Sequence, residues 1–221
     1  MNNSFIKKYS KVDELEGSNS YTFDEDMKDR ELKSSVQTLI SIVIDKSYPL
    51  NGNNELKECV KRTIEKINEV FNMPLKQSRN LNEQVAITYF GSEVELQPFR
   101  PAKHIEVNCA PNQTKSRIYD AIYESCMHMI GQYNYLVSVG CDIKGYMFIF
   151  TDGEDNGSKH SLKEMQDALY ELRNIKTTYI LPKCEGVNSE HLSNIFGAIP
   201  NTIENAFDVC HLFGFVSEKP E

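Results

Sequence analysis

Two hydrophobic periods alternate along this chain. From about Val36 the residues turn abruptly to Thr38-Leu39-Ile40-Ser41-Ile42-Val43-Ile44, an almost unbroken apolar, β-branched run, and they stop at Asp45. Such a run predicts a central strand buried on both faces. After a turn containing Pro49, Asn51 and Gly52, the positions Leu56, Val60, Ile64, Ile67 and Phe71 recur at helical spacing with Lys and Glu between them. Residues 84–90 (QVAITYF) read as a second strand, Gly91-Ser92 as a tight turn, and EVELQPF as a strand alternating Val94 and Leu96 with polar residues. The half-polar pattern and Pro98 place that strand at a sheet edge.

Helical spacing returns at Ile118, Ile122, Cys126, Met129 and Ile130, and YMFIFTD (146–152) is again a continuous apolar strand ending on an aspartate. Leu162, Met165, Leu169 and Leu172 predict the next helix, and TTYILP (177–182) a further strand. Ser189 is placed to cap a short helix through Phe196, and Ala206, Cys210 and Phe213 suggest a last one. Strands alternating with helices, plus one edge hairpin, predict an α/β fold: a doubly wound, mostly parallel sheet with one antiparallel edge strand and helices on both faces. In such a sheet ligands bind beyond the carboxyl ends of the strands.

The first 34 residues do not share these periods. They are polar and charged, and are expected to form a flexible arm ahead of a domain at 35–217 and a short tail at 218–221. The formal net charge of −8 gives no excess of positive charge to meet phosphates, so neither nucleic acid nor a membrane surface is the expected partner. The opening residues lack an apolar leader, so the expected location is the cytoplasm. The six cysteines are scattered without a Cys-x-x-Cys pair and lie mostly in apolar patterns, which reads as reduced core thiols.

Chemistry concentrates where two apolar strands end. Asp45-Lys46-Ser47 and Thr151-Asp152-Gly153-Glu154-Asp155-Asn156 bring carboxylates and hydroxyls to the crevice of the sheet. Oxygen donors of this kind suit a hard cation that keeps some water, and magnesium is the expected one. Aspartates also follow strands simply because they form turns and cap helices.

These residues resemble the metal-ion-dependent adhesion site of von Willebrand factor type A (VWA) domains. Asp45-Lys46-Ser47-Tyr48-Pro49-Leu50-Asn51-Gly52 is similar to the family's D-x-S-x-S-M-x-G except at its third ligand position, and Thr151-Asp152-Gly153 matches its T-D-G. The TDGEDNGS stretch looks like that of small single-domain bacterial and phage-borne members, and the likeness spans about residues 36–216. The resemblance implies metal ligation by Asp45, Ser47 and Asp152 together with a middle-loop hydroxyl. That hydroxyl is Ser116, in Ser116-Arg117-Ile118-Tyr119-Asp120-Ala121-Ile122, with Thr114 as the alternative; either also fits a plain helix cap. Pro49 stands where the family supplies a second serine and brings no side-chain oxygen, which weakens the site.

The resemblance further implies a non-enzymatic, intracellular binding module, with a protein partner's Asp or Glu completing the coordination. Lys46, Arg100, Lys103, Lys115 and Arg117 fall in loops able to flank such a site. Two other readings stay open: a scaffold of the same fold with a degenerate, metal-free site, and a magnesium-dependent phosphatase of the haloacid dehalogenase type. The phosphatase needs a second aspartate two residues after the first, where this chain has Ser47. The oligomeric state is not legible.

Overall fold

The structure is a computed structural model that describes residues 36–47, 54–72, 82–102, 105–108 and 114–212. The expected arm and tail, Pro49, Lys103 and Phe213 lie outside the described residues. β1 (Val36–Asp45) runs through the middle of a six-stranded sheet and is buried from Gln37 to its end. It pairs in parallel with β2 (Asn82–Phe90) on one side and with β5 (Asp142–Phe150) on the other. β6 (Thr177–Ile180) extends the parallel set beyond β5. The opposite edge is antiparallel and made of two short pieces, β3 (Val94–Leu96) and β4 (Arg100–Pro101), both on β2. The expected sheet is therefore present, with its mixed edge where Pro98 and the polar alternation placed it.

Alternation along the strands divides two cores. Leu39, Val43, Phe90, Met147 and Ile149 face α2 (Ile118–Ser138), α3 (Leu162–Asn174) and α4 (Ser189–Phe196). Ile40, Ile42, Ile44, Tyr89, Phe148 and Phe150 face α1 (Asn54–Asn72) and α5 (Ala206–Leu212). Each large apolar side chain buried here stabilises the fold by about 1.5–3 kcal/mol, so the continuous apolar runs are what a strand between two helix layers requires. Polar groups taken into these layers include a matched pair, the Ser125 hydroxyl donating to Thr88 Oγ1 at 2.8 Å, and Thr177, whose buried hydroxyl has no hydrogen-bond partner among the described residues.

Element ends depart from the pattern in instructive ways. α2 continues past Ile130 to Ser138 although its last turns carry exposed Tyr135 and Val137. β5 begins at Asp142, four residues before the apolar run, where exposed Asp142 and Lys144 alternate with buried Ile143 and Gly145. α3 starts with a capping box in which the Ser161 hydroxyl accepts from the Glu164 N–H and Glu164 reaches back to Ser161. α4 is capped one residue earlier than expected: Asn188, not Ser189, accepts from the N–H groups of Glu190 and His191.

The cysteines require a correction. Cys59 on α1 and Cys184 after β6 form a disulfide with Cα atoms 5.5 Å apart, bridging 125 residues. Spacing along the chain gave no sign of the bond, because only the packing of α1 against the far half of the sheet brings the two together. Cys126 is a buried free thiol, Cys141 is free and partly exposed, and Cys210 is partly exposed.

Candidate metal centre

The site starts from the pairing of β1 with β5. Ile44 lies beside Phe150, so Asp45 and Thr151 leave the sheet together. The Asp45 carboxylate is buried. One of its oxygens accepts from the Ser47 N–H at 2.8 Å and the Ser47 hydroxyl at 2.6 Å, closing a turn of two residues. Its other oxygen accepts from the Thr151 hydroxyl at 3.0 Å. Thr151 Oγ1 in turn accepts from the Gly153 N–H, and Asp152 accepts from the Glu154 N–H. Gly153 has φ +89, and a Cβ there would stand 3.0 Å from His191 and Leu192 of α4, so the T-D-G turn needs a glycine for both reasons.

Burial pushes the Asp45 carboxyl up to about 7, and the nearby Asp152 charge pushes it the same way. The bonds from Ser47 and Thr151 oppose that rise without cancelling it. Asp45 and Asp152 therefore sense one another across the crevice. The Asp152 charge thus opposes ionisation of Asp45, and the hydroxyls of Ser47 and Thr151 favour it.

The middle loop is tied to the loop that follows β5. The Ser116 N–H donates to Asn156 Oδ1 at 2.9 Å, and the Asn156 N–H donates to the Ser116 carbonyl at 3.0 Å. The Ser116 hydroxyl is buried and has no hydrogen-bond partner, whereas Thr114 is exposed. Capping does not occupy Ser116 either. The first free N–H groups of α2, those of Tyr119 and Asp120, donate to Ser158 Oγ at 3.1 and 3.2 Å. The cap thus comes from 38 and 39 residues further along the chain, as the loop after β5 folds over the helix start.

Asp120 locks that arrangement. Its carboxylate accepts from the N–H groups of Lys159 (3.0 Å) and His160 (2.8 Å), and from Arg117 Nε (2.9 Å), while His160 Nδ1 lies 2.7 Å away. Burial alone would raise its pKa, but the two N–H groups and the Arg117 guanidinium outweigh it and hold the carboxyl at about 2. Arg117, one of the cations expected to flank the crevice, is thus committed to this ion pair. Lys46 is also redirected: its ammonium lies over the Tyr89 ring, 4.8 Å from the centroid. Asp120, Asn156 and Ser158 were not among the expected site residues.

The donor set fits a hard divalent cation. Among the described residues no group of three or more His, Cys, Asp or Glu side chains could hold a metal. Around Asp45 the described oxygens are those of Ser47 and Thr151, bonded to it, and of Asp152, whose charge acts on it. Carboxylate and hydroxyl oxygens of this kind suit a hard divalent cation that keeps water in its remaining positions.

No family model matches the chain, and no curated protein sequence matches it. Among solved structures it is similar to proximal thread matrix protein 1 from the mussel byssus in crystal form 2 (16% identity, TM-score 0.49, covering 82% of this chain and 47% of that one). A second structure of that protein, with a zinc occupied MIDAS motif, is 18% identical with a TM-score of 0.47 and the same coverage. Manganese-loaded Plasmodium vivax TRAP protein is 16% identical with a TM-score of 0.49, covering 80% of this chain and 71% of that one. The chain thus spans about half the length of the first two, at 47%. On its own topology the protein is a doubly wound α/β domain with an oxygen-lined crevice at the carboxyl end of its sheet.

Proposed function

We propose that this chain is a VWA-like binding module in which Asp45, Ser47, Ser116 and Asp152 hold one divalent cation, magnesium being the expected ion. The observation that carries the reading is the Ser116 hydroxyl: buried, unpartnered, and relieved of capping by Ser158. A buried hydroxyl left without a partner costs about 1–3 kcal/mol, and a cation in the crevice removes that cost. It also neutralises the repulsion between Asp45 and Asp152. A bound cation held by few formal negative charges stays electrophilic, so a protein partner's Asp or Glu would replace water on it.

Binding, not turnover, is the expected activity. Ser47 stands two residues after Asp45 and cannot act as the proton-transfer aspartate of a phosphatase; its hydroxyl is spent donating to Asp45. The net charge of −8 goes with a protein partner rather than nucleic acid. No helix among the described residues is long and apolar enough to cross a membrane. The Cys59–Cys184 bond goes with an oxidising compartment rather than with the cytoplasm expected from the sequence.

Calorimetric titration of magnesium into the intact protein and its Asp45→Asn and Ser116→Ala variants tests the reading. The expected result is saturable binding that Asp45→Asn abolishes and Ser116→Ala weakens by about tenfold, equivalent to ~1.4 kcal/mol. Binding that neither substitution changes sinks the assignment, and absence of binding favours the metal-free scaffold.

A further inference from the structure

A second polar pocket opens on the other face of the same sheet end. Strand alternation sends Asp45 and Ser47 toward one helix layer and Lys46 toward the other. Tyr89 lies beside Ile44 and opposite Glu95, and Lys46, one residue beyond β1, reaches over the Tyr89 ring, so the three line one pocket. Residues 105–108 make the wall. Asn68 of α1 pins Ile105 by two bonds of 3.0 Å, and the Asn108 N–H donates to the Tyr89 hydroxyl at 2.9 Å. Together with Gln97 and Val107 these groups enclose about 370 Å³, open to solvent, with Glu95 and Glu106 exposed at the rim.

Lys46 is the unusual member. Lysines are rarely buried unless paired, yet Lys46 is only 7% exposed and its side-chain contact is the face of Tyr89. Among the described residues no carboxylate forms an ion pair with it, although Glu95 and Glu106 line the same space. A ring face balances a cation only in part, so the ammonium at the floor is arranged to receive an anion. The rim has the opposite character, because Glu95 and Glu106 form no ion pair among the described residues.

We infer that this pocket binds a short zwitterion, its carboxylate on Lys46 with Gln97 beside it and its cationic nitrogen between Glu95 and Glu106. The spacer between the two charges lies along Tyr89 and Val107. The charges can come from an acidic–basic side-chain pair in a partner's segment or from a free basic amino acid. The site does not depend on the metal centre, which faces the opposite helix layer.

The test uses the full-length ¹⁵N-labelled protein, once in EDTA and once in magnesium, titrated with four probes. These are an N-acetylated, C-amidated Glu-Lys dipeptide, free L-lysine, acetate and butylammonium. At least one zwitterionic probe should move the amide signals of Lys46, Glu95, Gln97 and Val107, and bind about tenfold more tightly than acetate or butylammonium. The tighter of the two zwitterions names the source. Lys46→Met, which keeps the apolar stem, should weaken that probe about tenfold; Glu95→Gln, an exposed change that spares the fold, should weaken the zwitterion but not acetate. The inference is overturned if no probe moves those signals, if acetate binds as tightly as the zwitterions, or if Glu95→Gln leaves the zwitterion unchanged. Binding in EDTA but not at the metal centre separates this site from the magnesium reading.

Discussion

Asp45 and Asp120 are both buried carboxylates at the same end of the sheet, and they are held in opposite states. Asp120 receives two backbone N–H groups and a guanidinium, with His160 against it, and its carboxyl is held near 2. Asp45 receives one N–H and two hydroxyls, faces another carboxylate, and is pushed up to about 7. A carboxylate saturated by its own chain fastens one loop to another. One that is left short of positive charge is open to a cation from outside. The contrast gives Asp120 a structural part and supports the proposal that Asp45 binds.

The sharpest way to break that division is to remove each carboxylate in turn. Asp120→Ala leaves Arg117 and two N–H groups without their acceptor and should lower unfolding free energy by about 3 kcal/mol in urea titrations. Asp45→Asn should cost less than about 1 kcal/mol in the absence of magnesium, because it removes a charge that burial and Asp152 already oppose. Equal losses would mean the two residues play the same part.

Magnesium should give the next largest difference. Saturation to about 100 times the dissociation constant stabilises a binding-competent fold by about 2.7 kcal/mol, read as a rise in Tm. Wild type and Asp120→Asn should both show the rise, Asp45→Asn and Asp152→Ala neither. A rise that survives in Asp152→Ala would remove that residue from the ligand set.

Acid should separate the pair again, with a smaller effect. The Asp120 carboxyl falls from an ordinary value of 3.8 to about 2 on folding, so its contribution is fully present above roughly pH 4 and is lost as pH falls toward 2. Wild type should therefore lose more stability than Asp120→Asn across that window, measured by urea titration at each pH. Identical slopes would remove the ion pair with Arg117 from the account. The smallest effect is expected at Thr114, whose side chain is exposed: Thr114→Ala should change neither stability, within about 0.5 kcal/mol, nor magnesium affinity.

Residues whose role is set by their own strand were legible in advance. Ile40, Ile42, Val43 and Ile44 are apolar because both faces of β1 are covered, and the ends of β1 and β5 fall at Asp45 and Phe150, where those apolar runs stop. What could not be read were roles created by distant approach. Ser158 caps a helix about 40 residues away, and Asp120 anchors residues 159 and 160; in the sequence each is one polar residue among many. Lys46 was assigned to the same crevice as its neighbours because linear adjacency hides the alternation that turns it to the other face. The end of α2 escaped notice because Gly131, Gln132 and Asn134 interrupt its apolar period.

The bond between Cys59 and Cys184 has a consequence for the integrity of the chain. The segment it closes holds β2 to β6, α2 and α3, including the long loop from Thr151 to Ser161 that surrounds the candidate site. A protease that cuts once inside that segment cannot release a fragment, since the two pieces stay joined through sulfur. The severed molecule would keep its mass on a non-reducing gel and fall into two bands only after a thiol reagent is added, so damage to the site loop could accumulate without any loss of the polypeptide around it.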